Sequence, residues 1–215
     1  MRTIMLMNAK GGCGKTTLAT NIATWFADEG KKVALADFDP QGSSLDWLKA
    51  RDGYEGIPNI EGINAAEGQA TASRGTDFLI MDAPAAIHGK EINAMLRRVQ
   101  TLLIPVLPSP IDMRACSRFL EELLTSGRVS KEQTKIAIVA NRVWERTTVY
   151  RQLEEYLGHL KIPVLGHLRE SQNYIRSAEK GLGLFELAPS QVWQDLEQWD
   201  PILEWLSSSR SQPAN

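Results

Sequence analysis

A doubly wound α/β fold with a mostly parallel sheet is predicted by three features of the 215-residue sequence. Short apolar runs recur along the chain, longer segments with helical spacing lie between most of them, and a glycine-rich turn directly follows the first run. Strands that alternate with helices in this way imply a parallel sheet covered on both faces. With 43% hydrophobic and 23% charged residues, the composition excludes disordered and low-complexity architectures.

The predicted strands are the apolar runs at residues 3–7, 33–36, 78–81, 102–106, 135–140 and 162–165. Between the first two, Leu18, Ile22, Trp25 and Phe26 fall at i, i+4, i+7 and i+8, the core-facing stripe of a helix. Residues 51–62 carry Gly53, Gly56, Pro58 and Gly62 and read as an irregular connection, not a domain linker. Near the C-terminus, Val192, Leu196, Trp199, Leu203 and Leu206 repeat with helical spacing and are expected to pack on the core. One domain over residues 1–206, followed by a frayed, serine-rich tail at 207–215, is the expected organisation.

Twenty-four basic residues against 26 acidic ones give a net charge of -2, so any contact with nucleic acid must come from a local patch. Two cysteines, Cys13 and Cys116, cannot build a disulfide framework or a four-thiolate metal site, and point to a reducing, cytoplasmic compartment. The first apolar run is too short for a signal peptide, and no window reaches the roughly 18 apolar residues that cross a bilayer.

The most specific signal is Lys10-Gly11-Gly12-Cys13-Gly14-Lys15-Thr16-Thr17, placed after a strand and opening a helix. Glycines let backbone N–H groups turn inward around phosphate oxygens, and the helix N-terminus adds its positive dipole end. Lys15 would set an ammonium among the β- and γ-phosphates, the Thr16 hydroxyl would ligate Mg²⁺, and Thr17 would touch the α-phosphate. The common phosphate-loop pattern reserves its first position for glycine; Ala9 stands there, and a lysine, Lys10, follows.

This K-G-G-x-G-K-T-T segment is a deviant Walker A motif and resembles the ParA/MinD family of P-loop ATPases, the SIMIBI class of P-loop NTPases. Three further segments follow in that family's order. Asp37-Phe38-Asp39-Pro40-Gln41 looks like its first switch, Phe78-Leu79-Ile80-Met81-Asp82-Ala83-Pro84 like its Walker B strand, and Pro105-Val106-Leu107-Pro108-Ser109-Pro110-Ile111-Asp112 like its later proline-rich loop.

The resemblance implies ATP and ADP as ligands, with Mg²⁺. It implies that Asp39 orients or deprotonates the attacking water, that Asp37 lies near the metal, and that Lys10 reaches the phosphates of a second subunit in an ATP-held homodimer. Asp82 ends an apolar strand, where a buried carboxylate seeks a cation; a cap on the next helix is the alternative. Taken without the family, Asp37 and Asp39 equally fit a turn with solvated acids, and Lys10 a contact in cis or an exposed lysine. At the adenine end the resemblance assigns the base edge to Asn141, with Arg142 and the Leu168-Arg169 pair flanking the ring, although asparagine at a strand end is also an everyday turn residue.

Residues 142–180 hold seven Lys or Arg against five Asp or Glu, among them Arg142, Arg146, Arg151, Arg169, Arg176 and Lys180. Dimerisation would double such a patch, and phosphate contacts multiply through counterion release, although a solvated helix face is the plainer alternative. Residues 186–215 carry five acids and Arg210 alone as a base, unlike the basic membrane-binding helix that ends MinD-type relatives, so membrane attachment is not expected.

The resulting expectation is a small partition or positioning ATPase, cytoplasmic and nucleoid-associated. It would hydrolyse ATP to ADP and phosphate slowly by itself, bind DNA without sequence preference in its ATP state, and distribute a plasmid, chromosome or protein assembly. A ParB-like centromere-binding protein or cargo adaptor would stimulate hydrolysis and release. The alternatives are a MinD-like spatial regulator and a small-molecule kinase or ligase on the same scaffold.

Overall fold

The computed structural model describes residues 1–87, 89–125, 129 and 132–213. Its strands are β1 (Arg2–Leu6), β2 (Val33–Asp37), β3 (Ile60–Asn64), β4 (Phe78–Asp82), β5 (Thr101–Val106), β6 (Lys135–Val143) and β7 (Val164–Arg169). The helices are α1 (Lys15–Asp28), α2 (Ser43–Arg51), α3 (Lys90–Leu96), α4 (Pro110–Thr125), α5 (Thr148–Gly158), α6 (Gln172–Glu179) and α7 (Pro189–Ser207). The strands form one sheet in the order β3-β2-β4-β1-β5-β6-β7. The fold is a seven-stranded parallel sheet with flanking helices.

The chain groups into two compact units, neither continuous in sequence. The first comprises residues 1–6, 15–84 and 171–197. Its strands β3, β2, β4 and β1 pair in parallel and in register, so that Leu6, Asp37 and Asp82 end three neighbouring strands at one level. α1 covers this sheet with Leu18, Ile22 and Phe26, and the Phe26 ring stacks on Phe78 with centroids 3.7 Å apart. Trp25, predicted on the same stripe, is half-buried and meets Phe26 edge-on.

The second unit comprises residues 7–14, 85–170 and the chain from 198 onward. β5, β6 and β7 pair in parallel, with register shifts between β6 and β7. α4 buries Cys116, Phe119, Leu120 and Leu123 at i, i+3, i+4 and i+7, the spacing of a one-faced helix.

Two strand expectations are corrected. Residues 51–62 are not wholly irregular, because β3 begins at Ile60 and pairs with β2 at the edge of the sheet. Only Ile60 of its five residues is buried, too little apolar signal for a periodic pattern to register. β7 runs from Val164 to Arg169, later than the apolar run at 162–165, because Gly166 and His167 interrupt its hydrophobicity.

The C-terminal helix occurs as expected, with Val192, Trp199, Leu203 and Leu206 buried and Leu196 half-buried. The segment expected to fray carries a 3-10 turn at Ser209–Ser211. Ser211 is buried and its carbonyl accepts the Thr101 hydroxyl at 2.6 Å. The last two residues of that segment, 214 and 215, lie outside the described residues.

Candidate functional site

The site residues are carried by strand ends and by the loops that leave them. In the second unit, Asn8 starts the glycine loop and is fully buried. Its amide donates to the Pro105 carbonyl at 2.7 Å while its Oδ1 accepts the Lys10 N–H at 3.1 Å. Gly12 and Gly14 adopt φ of 76° and 93°, a left-handed conformation open to glycine at little cost, and such turns present successive N–H groups to an anion. Gly11 and Gly12 are exposed, Cys13 is buried with its thiol on the Lys10 carbonyl at 3.3 Å, and Lys10 is half-buried.

Asn141, at the carboxyl end of β6, is buried and donates its side-chain amide to the Cys13 carbonyl at 2.8 Å. The residue that the resemblance assigns to the base edge is here a tether for the glycine loop. Arg142 adopts a φ of 54°, rare for a residue with a side chain, and its guanidinium lies on Glu170 at 2.6 and 3.3 Å. Leu168 is fully buried in β7, so its side chain is not available to flank a ring. Arg169 is half-buried and gives its N–H to Gln198 Oε1 at 2.8 Å.

In the first unit, α1 opens on Lys15 and Thr16. Lys15 is buried, whereas Thr16 and Thr17 are half-buried. The Thr16 hydroxyl donates to Asp82 Oδ2 at 2.7 Å, and the buried Ser44 hydroxyl donates to the same oxygen at 2.6 Å. Asp82 Oδ1 is buried without a hydrogen-bond partner. Burial pushes the Asp82 carboxyl up to about 6; the Ser44 and Thr16 hydroxyls pull it back, the Asp37 charge raises it, and the Lys15 ammonium lowers it.

Asp37, placed near the metal by the sequence reading, is employed by backbone. Its Oδ1 accepts the Asp39 N–H at 3.0 Å, and its Oδ2 accepts the N–H groups of Ser44 at 2.8 Å and Leu45 at 3.3 Å. The carboxylate thereby satisfies the first donors of α2 and favours its positive end. Half-buried Asp39 takes the Gln41 N–H on Oδ1 at 2.9 Å. Beside this cluster, a cavity of about 310 Å³ is lined by Thr16, Thr17, Thr20, Ser43, Asp46 and Trp47, among others.

Among the described residues no cluster of three or more His, Cys, Asp and Glu could cage a metal. The donors present suit Mg²⁺ differently. A hydroxyl that gives its proton to Asp82 keeps its lone pairs for a cation, and an orphaned carboxylate oxygen lies on the same side chain. Mg²⁺ commonly takes one or two carboxylates together with phosphate oxygens and waters.

Ser44 and Asn8 escaped the sequence reading. Asn8 could have been found as a polar residue ending an apolar strand, and Ser44 as a small hydroxyl at a helix start, seven residues after Asp37.

Residues 4–185 match the CobQ/CobB/MinD/ParA nucleotide binding domain. Maintenance of carboxysome distribution protein A of Halothiobacillus neapolitanus is 30% identical over 190 residues, covering 86% of this chain and 87% of that protein. A Cyanothece McdA variant in complex with ATP superposes with a TM-score of 0.70 at 18% identity, over 94% of this chain and 96% of the other. A chain of the MinC:MinD cell division protein complex of Aquifex aeolicus gives a TM-score of 0.72 at 19% identity, over 100% of this chain and 99% of the other. With that domain match spanning most of its length, the chain belongs to the CobQ/CobB/MinD/ParA nucleotide-binding family.

Proposed function

We propose that this chain is an ATP-driven positioning ATPase: it takes Mg-ATP at residues 10–17, pairs with a second copy, holds DNA without sequence preference, and lets go after hydrolysis to ADP and phosphate. A cargo adaptor accelerates hydrolysis, and the cargo is a plasmid, chromosome or protein assembly. The observation that carries the reading is the Thr16–Asp82–Ser44 cluster, with its orphaned Asp82 oxygen, directly after a glycine loop. Family membership and the carboxysome-distribution relative support the positioning role.

Bound Mg²⁺ supplies charge neutralisation at the phosphates, with Thr16 and Asp82 as its protein partners. Lys15 adds a buried ammonium, the glycine loop adds N–H donors, and Asp39 accepts a proton from, or orients, the attacking water through its carboxylate. Lys10 supplies a positive charge to the second copy's triphosphate. Opposite unit charges about 4 Å apart at an effective dielectric of 20 attract by roughly 4 kcal/mol, and two-fold symmetry provides that contact twice. The association itself costs about 4–15 kcal/mol, so the nucleotide is needed to tip the balance.

For DNA, Arg142 is engaged by Glu170 and leaves the expected basic set, while Arg146, Arg151, Arg176 and Lys180 are exposed. A gel shift on random-sequence DNA with ATP, ADP or no nucleotide, at two salt concentrations, tests this part. Binding in ATP alone that weakens with salt is expected. Absence of binding in every nucleotide state would shift the reading to a small-molecule enzyme.

A further inference from the structure

Ser44 stands outside the assigned motifs, yet it joins the two acidic strand ends of the site. It is fully buried in the first turn of α2. Its N–H goes to Asp37 Oδ2 at 2.8 Å and its hydroxyl to Asp82 Oδ2 at 2.6 Å. Asp37 and Asp82 face each other in register across β2 and β4, so one serine spans two carboxylates that would otherwise repel. The other oxygen of Asp37 holds the Asp39 N–H at 3.0 Å. A continuous chain of hydrogen bonds therefore runs from Asp82 through Ser44 and Asp37 to the backbone of Asp39.

The far end of α2 is fixed. Arg51, almost wholly buried, bonds Glu186 at 2.7 and 2.5 Å, the Gly181 carbonyl at 3.3 Å and the Pro58 carbonyl at 2.8 Å. Trp47 Nε1 donates to the Leu182 carbonyl at 3.4 Å. The last turn of α2 is thus anchored by these contacts, and its first turn is held through Ser44 and Leu45 to the two acidic strand ends.

We propose that Ser44 is a positioning residue that orients the Asp82 carboxylate for Mg²⁺ and couples occupancy of that site to the loop carrying Asp39. The inference rests on Thr16 and Asp82 being the magnesium partners. Asp82 Oδ2 takes two hydroxyl donors, which hold the plane of the carboxylate and leave Oδ1 to the cation. Without Ser44, one donor is lost and the carboxylate can turn about its remaining bond to Thr16. The same loss unties α2 from β4 and slackens the segment 38–42.

The test is binding of a fluorescent, slowly hydrolysed ATP analogue as Mg²⁺ is titrated, for wild type, Ser44→Ala and Ser44→Gly. Removing an outer partner of a metal ligand typically lowers metal affinity about 10–100-fold, so both variants should need at least about tenfold more Mg²⁺ for half-maximal enhancement. Amide exchange over residues 38–42 is followed alongside: Mg²⁺ with the analogue should protect the segment in wild type and fail to do so in either variant. Variants with the wild-type Mg²⁺ midpoint and wild-type protection would overturn the role of Ser44 while leaving the magnesium site intact. A wild type whose analogue binding ignores Mg²⁺ would overturn the magnesium reading itself, and this inference with it. If the variants do not fold, exchange in wild type decides alone, and an unprotected 38–42 segment counts against the coupling.

Discussion

Thr16 Oγ1 donates to Asp82 Oδ2 across 2.7 Å, joining the start of the first helix to the end of a strand that arrives 66 residues later. The contact depends on parallel pairing of β1 with β4, which brings Leu6 level with Asp82, so that the chain leaving β1 returns as α1 beside the β4 carboxylate. Sequence puts a threonine after a lysine; the sheet brings its hydroxyl onto a buried carboxylate.

Asp82 makes stability depend on pH in the absence of ligand. Its carboxyl is held at about 6 in the folded protein, above the ordinary value of about 3.9 in the unfolded chain. A raised carboxyl means the folded state binds more protons between those values. The stabilisation is fully present below about pH 4 and is lost as pH rises through about 6, a change of about 3 kcal/mol for a shift of two pH units. Asp82→Asn should therefore flatten the stability profile between pH 4 and 6 and raise stability at pH 7, read by denaturant unfolding without nucleotide. A profile identical to wild type would show that Asp82 titrates normally.

Arg51 and Glu186 form a buried, two-pronged ion pair that ties α2 to the 3-10 turn at Leu184–Glu186. Breaking it from one side leaves a buried charge uncompensated, so Arg51→Met should cost about 3–5 kcal/mol. Arg51→Met with Glu186→Leu should recover part of that loss, but not all, since the Gly181 and Pro58 carbonyls also lose their donor. Chemical denaturation of the two variants and wild type gives the comparison.

At Gly181 the backbone adopts a φ of +66°, and a Cβ there would run into the backbone of Arg51. Gly181→Ala should destabilise the protein through both strain and that clash, by more than the roughly 1 kcal/mol usual for a left-handed position alone. A melting temperature equal to wild type would contradict the packing described between α2 and this turn.

Asn141→Ala removes the 2.8 Å bond that tethers the Cys13 carbonyl. A bond of this kind is worth about 1 kcal/mol, so nucleotide affinity should fall about fivefold, measured by calorimetric titration with ADP. An unchanged affinity would mean that the loop keeps its shape without the tether.

Much of this is legible in the sequence. The glycine loop, the Asp37 and Asp82 strand ends and the apolar stripe of α1 announce themselves because each depends on local spacing. β3 did not, because an edge strand with one buried residue carries almost no apolar period. Ser44 is legible only as a small hydroxyl at a helix start; its bond to Asp82, 38 residues away, depends on the register of β2 with β4. Asn141 was visible as a polar strand end, but its bond to the loop carbonyl belongs to tertiary structure. Asp37 is an acid that the family resemblance places near a metal, and its oxygens accept backbone N–H groups that only the fold brings to it.

Sedimentation velocity of the full chain with Mg²⁺ and either a non-hydrolysable ATP analogue or ADP, for wild type, Lys10→Ala and Lys15→Ala, addresses the nucleotide switch directly. Wild type should sediment as a dimer with the analogue and as a monomer with ADP; Lys10→Ala should stay monomeric while still binding nucleotide, and Lys15→Ala should lose nucleotide binding or hydrolysis. A wild type that remains monomeric with the analogue, or a Lys10→Ala protein that dimerises as wild type does, would contradict the switch.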